Sequence, residues 1–306
     1  MSEIEVRRMG RDDTTDIVGL AARSLGWAGD DRDRAFFEWK HFESPFGDSP
    51  SWGAFDGDRL VAFRTLMKWR LDVDGEPLDV VRAVDTATDP EYQGRGLFRR
   101  LTMTAVDELA AAGVDAVFNT PNEQSRPGYL KMGWSIVGRP TLMVQPSGPV
   151  TLARLVRARV PAEKWSIPVD LGIPIHEAID ADVPLSRFGS SEQEARQFLL
   201  WRYGLAPLHY RAVSIRGGIC IFRVRRRGPL REVAICEWLS ERRDPMALRR
   251  IVRAVGDYAV AVGLTARNGL IPLPRQGPIV TWRPLARAGV PGLDDVRLSL
   301  GDLELF

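Results

Sequence analysis

The segment Val84-Asp85-Thr86-Ala87-Thr88-Asp89-Pro90-Glu91-Tyr92-Gln93-Gly94-Arg95-Gly96-Leu97-Phe98 passes from a strand-like stretch, through a loop of small residues, onto the first turn of a helix. Asp89-Pro90 ends the strand, and Gly94 and Gly96 allow backbone angles that turn several N–H groups to one side. Because such a loop opens directly on a helix N-terminus, its unpaired amides and the helix dipole form a seat for the pyrophosphate of a nucleotide cofactor.

On the C-terminal side, apolar periodicity predicts a helix over roughly Leu97 to Ala112, stopped at Gly113, where a C-terminal glycine belongs. A strand at Val114 to Thr120, a short helix ending near Met132-Gly133 and a strand from Trp134 come next. On the N-terminal side, helical patterns cover about Thr14 to Leu25 and Asp31 to Phe42. They are followed by strands at Trp52 to Phe55, Leu60 to Val73 and Leu78 to Thr88, joined by Asp56-Gly57-Asp58 and Asp74-Gly75-Glu76-Pro77 turns. Antiparallel hairpins therefore form the core of this half.

Strand, Pro90-Glu91-Tyr92-Gln93-Gly94-Arg95-Gly96, long helix, glycine, strand, Asn122 and Tyr129-Leu130-Lys131-Met132-Gly133-Trp134 occur in the order found across GNAT N-acetyltransferases, which the chain resembles over about Leu60 to Val137. The resemblance implies an α/β (α+β) fold with mixed, mostly antiparallel sheets flanked by helices. It also implies acetyl-CoA, or another acyl-CoA, as cofactor and a small-molecule or peptide amine as acceptor. By the family pattern, backbone groups at Thr86, Ala87 and Thr88 hold the pantetheine, and Gln93, Gly94, Arg95, Gly96, Leu97, Phe98 and Asn122 complete the cofactor site. Tyr129, seven residues after Asn122, falls on the general acid that protonates the leaving thiolate, and Asp85 is a candidate proton relay. One departure is visible, since the last small residue of the loop motif is Phe98 here.

The halves repeat one another. Phe36-x-x-Trp39-Lys40-His41-x-x-x-Pro45 returns as Phe198-x-x-Trp201-Arg202-Tyr203-x-x-x-Pro207, and Phe98-Arg99-Arg100-Leu101 returns as Leu248-Arg249-Arg250-Ile251. Tandem GNAT-like domains are therefore expected, at 1–145 and 191–306, with 146–190 as linker and leading helix. In the second copy the phosphate loop has become Arg243-Asp244-Pro245-Met246, an Asp-Pro helix start. Only the first copy is thus expected to bind cofactor. Trp39 and His41 are candidate acceptor contacts, although aromatic residues at this spacing are more often core anchors.

Composition narrows the partners. No apolar run approaches the ~20 residues of a membrane span and no signal-peptide pattern opens the chain, which points to a cytoplasmic protein. Three scattered histidines and two cysteines, Cys220 and Cys236, give no metal-site spacing, and both cysteines read as small core residues. Residues 1–150 carry 18 basic and 24 acidic side chains, net −6, against 24 and 16, net +8, in the remainder. The basic run Arg223 to Arg227 reads as a solvated hairpin tip before Gly228-Pro229, and no recognition helix or aromatic groove accompanies it, so no nucleic-acid partner is expected. The expected protein acts as a monomer or homodimer. Two other functions fit part of the pattern: an aminoacyl transferase of the FemABX kind, which would not need the glycine loop, and a non-catalytic CoA-binding regulator. Phe306 is a further candidate, because the related enhanced intracellular survival acetyltransferases use a terminal carboxylate as base.

Overall fold

Asp74 and Gly75 have φ angles of 55° and 82°, the two positive values a type I′ turn requires. They join β3 (Arg59–Val73) to β4 (Glu76–Thr88), the longest strands among the described residues. The computed structural model describes residues 3–157, 160–179, 191–287 and 289–304. Before the hairpin come β1 (Glu5–Met9), α1 (Thr14–Leu25), α2 (Asp31–Phe42) and β2 (Ser51–Asp56). After it come α3 (Leu97–Ala111), β5 (Ala116–Asn119), α4 (Arg126–Lys131) and β6 (Ser135–Gly138). The remainder comprises β7 (Leu142–Pro146), α5 (Pro149–Arg157), α6 (Ile175–Ala178), α7 (Glu192–Gly204), β8 (Arg211–Ile215), β9 (Gly218–Arg227), β10 (Leu230–Leu239), α8 (Pro245–Val255), β11 (Tyr258–Ala261), β12 (Ile271–Leu273), β13 (Val280–Pro284) and α9 (Leu300–Leu303).

Two compact units result, and neither is continuous in sequence. The first joins Met1–Gly138 to Ile279–Asp295, and the second joins Arg139–Pro278 to the chain from Val296 onward. The first sheet has strand order β1-β2-β3-β4-β5-β13-β6, the second β12-β7-β11-β10-β9-β8. Both sheets are mixed and mostly antiparallel, with β4–β5 and β10–β11 as their parallel pairs. Read from β2 and from β8, the two have the same order and sense: three antiparallel strands, a parallel fourth, then an antiparallel pair. The inserted strands are exchanged: β13 lies between β5 and β6, and β7 between β11 and β12. A linear cut at residue 145 therefore runs through β7, whose partners Tyr258–Ala261 and Ile271–Leu273 lie in the second sheet.

Helices cover both faces of the first sheet. Leu97, Leu101, Ala105, Val106 and Leu109 repeat at helical spacing and bury the inner side of α3 against Val61, Leu66, Val81 and Val117. On the other face, Ile17, Leu20 and Phe37 from α1 and α2 meet Phe55, Leu60 and Phe63. Leu101 is fully buried, so Leu101→Ala should destabilise the protein by about 3 kcal/mol, through lost transfer energy and a partly unfilled cavity. Urea unfolding checks this, and a loss below about 1 kcal/mol would mean α3 is packed less tightly than described. Among the described residues no helix is long and apolar enough to cross a membrane.

Candidate functional site

The loop between β4 and α3 is held by side-chain hydrogen bonds. Asp89 accepts the N–H of Glu91 and is bonded at 2.9 Å by Arg59, which also reaches Glu91, while the Tyr92 hydroxyl donates to Asp56 at 2.6 Å. Burial pushes the Asp89 carboxyl up, but its bonds from Arg59 and the Glu91 amide outweigh that and hold it below the usual range. Gly94 and Gly96 have φ of 75° and 76°, and a Cβ at either would meet nothing within 4 Å. Their requirement is therefore conformational, with open space in front of the backbone. No side chain caps the N-terminus of α3, so its first N–H groups are left for a ligand.

In front of this loop lies a cleft of about 380 Å³. Eight of the ten expected cofactor residues line it: Thr86, Ala87 and Thr88 along β4, Gln93, Gly94 and Gly96 in the loop, then Leu97 and Phe98 on α3. Arg95 and Asn122 do not. Arg95 folds back over the Tyr92 ring at 4.4 Å and donates to the Glu91 carbonyl. Asn122 accepts the N–H and hydroxyl of Ser125, which fixes the turn into α4. The bulk of Phe98 is accommodated by packing edge to face on Tyr129, with ring centroids 5.5 Å apart.

Tyr129 projects from α4 into the buried layer beneath the cleft residues and is 4% exposed. Its hydroxyl accepts a 2.7 Å hydrogen bond from Nη1 of Arg64 on β3. Arg64 is absent from the sequence-based candidates. The available signal is a single cation in the apolar run Val61-Ala62-Phe63-Arg64-Thr65-Leu66, a place where a charge is buried only with a partner.

Asp85 stands elsewhere. Arg64 pairs with Thr86 and Thr65 with Val84, so Asp85 is the extra residue of a β-bulge. Its carboxylate is shared by Lys40 Nζ and His41 Nε2 of α2, each at 2.7 Å. Burial raises the Asp85 carboxyl, but these two partners prevail and hold it far below the ordinary carboxylate range. Burial pushes the His41 imidazole down, against the pull of Asp85, so the ring is neutral, with Nε2–H assigned as donor to Asp85. A carboxylate held this way is a poor proton acceptor near neutral pH. Trp39 is buried and packs on Phe36, with centroids 5.6 Å apart, which is the geometry of a core anchor.

The second sheet repeats this arrangement with other chemistry. Ile235 pairs with Phe222 and Glu237 with Ile221, leaving Cys236 as the bulge residue where the first sheet has Asp85. Arg202 and Tyr203 of α7 take the places of Lys40 and His41. Arg202 donates to the carbonyls of Gly301 and Glu304 and to the Tyr210 hydroxyl, and Tyr203 donates to Glu237. The carboxylate comes from Glu304, bonded by Arg223 at 2.6 Å and Arg225 at 2.5 Å. Burial raises the Glu304 carboxyl, and the arginines more than reverse this, bringing it down to about 2. The expected solvated tip at Arg223 to Arg227 is thus corrected at its base: Arg223 is fully buried, because the tail supplies its counter-charge. Phe306 lies outside the described residues. At the start of α8, Asp244 accepts the Ala247 N–H and the Arg216 N–H, so a carboxylate closes the helix end that is open in α3.

Residues 5–137 match the family model of the acetyltransferase (GNAT) domain. No curated protein matches the sequence. Among solved structures, the fold is similar to a probable N-acyltransferase from Enterococcus faecalis, at 13% identity and a TM-score of 0.61, over 93% of this chain and 73% of that one. It is also similar to a GCN5-related N-acetyltransferase from Kribbella flavida, at 15% identity and a TM-score of 0.58, over 93% and 72%. Eis1 from Mycobacterium abscessus gives 14% identity and a TM-score of 0.54, over 92% and 74%. At such identities the likeness is one of fold.

Proposed function

We propose that this chain, whose residues 5–137 match the acetyltransferase (GNAT) domain model, is an acyl-CoA-dependent N-acyltransferase, with acetyl-CoA its first candidate donor and a small-molecule or peptide amine its acceptor. The observation that carries the reading is the open glycine loop at the uncapped end of α3, facing the same cleft as Thr86, Ala87 and Thr88. These groups fit acyl-CoA. Loop and first-turn amides suit the pyrophosphate, and the backbone of Thr86 to Thr88 suits the amide-rich pantetheine arm. In this reading the acceptor nitrogen attacks the thioester carbon and Tyr129 donates the proton that the departing sulfur needs. Asp85 serves by holding the bulge that orients β4, through Lys40 and His41.

The second GNAT-like unit, Arg139–Pro278 with the chain from Val296 onward, is proposed to bind no CoA, since Asp244 occupies the α8 end where an anionic phosphate would sit. Calorimetric titration with acetyl-CoA should give one site per chain. Two equivalent sites would defeat this assignment, and no binding would defeat the reading as a whole. Incubation with acetyl-CoA and a panel of amines, followed by thiol release, then tests transfer itself. CoA binding without turnover on any amine would favour the regulator.

A further inference from the structure

We infer that Arg64 is a positioning residue for the transfer step, fixing the Tyr129 hydroxyl and holding the negative charge it acquires when it gives up its proton; this rests on the acyltransferase reading and on Tyr129 as its acid. Arg64 is fully buried in the middle of β3. Its Nη1 donates to Tyr129 at 2.7 Å, and its guanidinium carbon lies 5.3 Å from the Tyr129 ring and 5.4 Å from the Phe98 ring. Nε and Nη2 have no hydrogen-bond partner among the described residues. No carboxylate among those residues makes an ion pair with Arg64, whereas Lys40 and Arg223 each have one.

A buried cation without a counter-ion is unfavourable for folding and is retained where something else requires it. The one polar group Arg64 holds is the hydroxyl proposed to protonate the leaving group. Because Arg64 occupies the oxygen as an acceptor, the hydroxyl's own proton is directed elsewhere, and it donates to no group among the described residues. The second sheet provides an internal control. Its counterpart of Arg64, paired beside the bulge in the same way, is Ile221. The helix-to-bulge tie thus survives in the half whose phosphate loop is gone, and the guanidinium does not. A buried guanidinium also meets a tyrosine hydroxyl in the second half, Arg202 with Tyr210, but it comes from α7; a guanidinium at the strand position paired beside the bulge occurs only in the loop-bearing half, which favours cofactor chemistry over architecture as its reason.

In the step itself, the amine nitrogen forms a bond to the acyl carbon and the carbon–sulfur bond breaks, with its electron pair passing to sulfur. The Tyr129 proton moves to that sulfur, giving the free thiol, and leaves a phenolate beside the guanidinium. The proton shed by the acylated nitrogen returns through water to the phenolate. The charge of Arg64 therefore matters most while the phenolate exists, which is a property of the transition state and not of cofactor binding.

The test is a double-mutant cycle on thiol release from acetyl-CoA, with a panel amine or water as acceptor. R64M should lower kcat about 30-fold with KM for acetyl-CoA within about threefold, and R64K should recover most of the rate. In the Tyr129→Phe background R64M should change kcat by less than about twofold, because its partner is already gone. The same 30-fold loss in both backgrounds would overturn the inference and make Arg64 architectural. Wild-type turnover in Tyr129→Phe alone would instead sink the assignment of Tyr129 as the acid. If calorimetry shows that R64M no longer binds CoA, R64Q takes its place, keeping a donor without the charge. A loss near 30-fold supports the charge, and a near wild-type rate refutes it.

Discussion

Tyr129→Phe is expected to lower turnover by roughly 10²-fold or more while acetyl-CoA affinity stays within a few-fold. The substitution removes one oxygen from a ring that keeps its packing against Phe98 and Trp134. The cleft lining, the loop and the open end of α3 are untouched, so ground-state binding has no reason to change. What disappears is the group proposed to protonate the leaving thiolate, an interaction needed only as the carbon–sulfur bond breaks. The variant also strips Arg64 of its one hydrogen-bond partner, which should cost about 1–3 kcal/mol of stability. Steady-state thiol release, calorimetry and a thermal melt on the same preparation separate these effects. A parallel fall in affinity and rate would point to a damaged site, and an unchanged rate would return Tyr129 to the core.

Much of the first unit was legible because its signals are local. Gly94, Gly96 and Gly113 mark a loop and a helix end, and the apolar spacing of α3 marks the face it buries. The Asp74-Gly75 turn fixes the β3–β4 hairpin in the same way. Strand exchange is not local. Leu142–Pro146 and Val280–Pro284 are short apolar runs, and nothing within either run says which sheet it joins. The bulge at Asp85 depends on the register of β4 against β3, so one sequence reading could not tell that Asp85 turns to α2 while Arg64 meets Tyr129. Arg223 misleads for a related reason, since its carboxylate partner, Glu304, is eighty-one residues away.

Asp85→Ala is expected to destabilise the protein by about 3–5 kcal/mol, because Lys40 would stay buried without its carboxylate. The same cluster gives stability a defined pH dependence. His41 titrates lower in the folded protein than in the unfolded chain, so the unfolded state takes up its proton first. Its contribution is complete above the unfolded value of about 6.5 and is lost as pH falls through and below it. Asp85 is also depressed, so its contribution is present above about 4 and drains away under more acidic conditions. Urea midpoints at pH 7.5, 5.5 and 4 should therefore fall in sequence, and His41→Asn should flatten the first part of that fall. A mirror-image rise on acidification would mean the imidazole is protonated in the fold and the assigned neutral ring is wrong. The paired replacement Lys40→Met with Asp85→Leu removes both charges together and should recover most of the stability lost in Asp85→Ala. If that double variant also recovers turnover, Asp85 supports the bulge and is not the base. A stable double variant that turns over at least 10²-fold more slowly would put the carboxylate back into the chemistry.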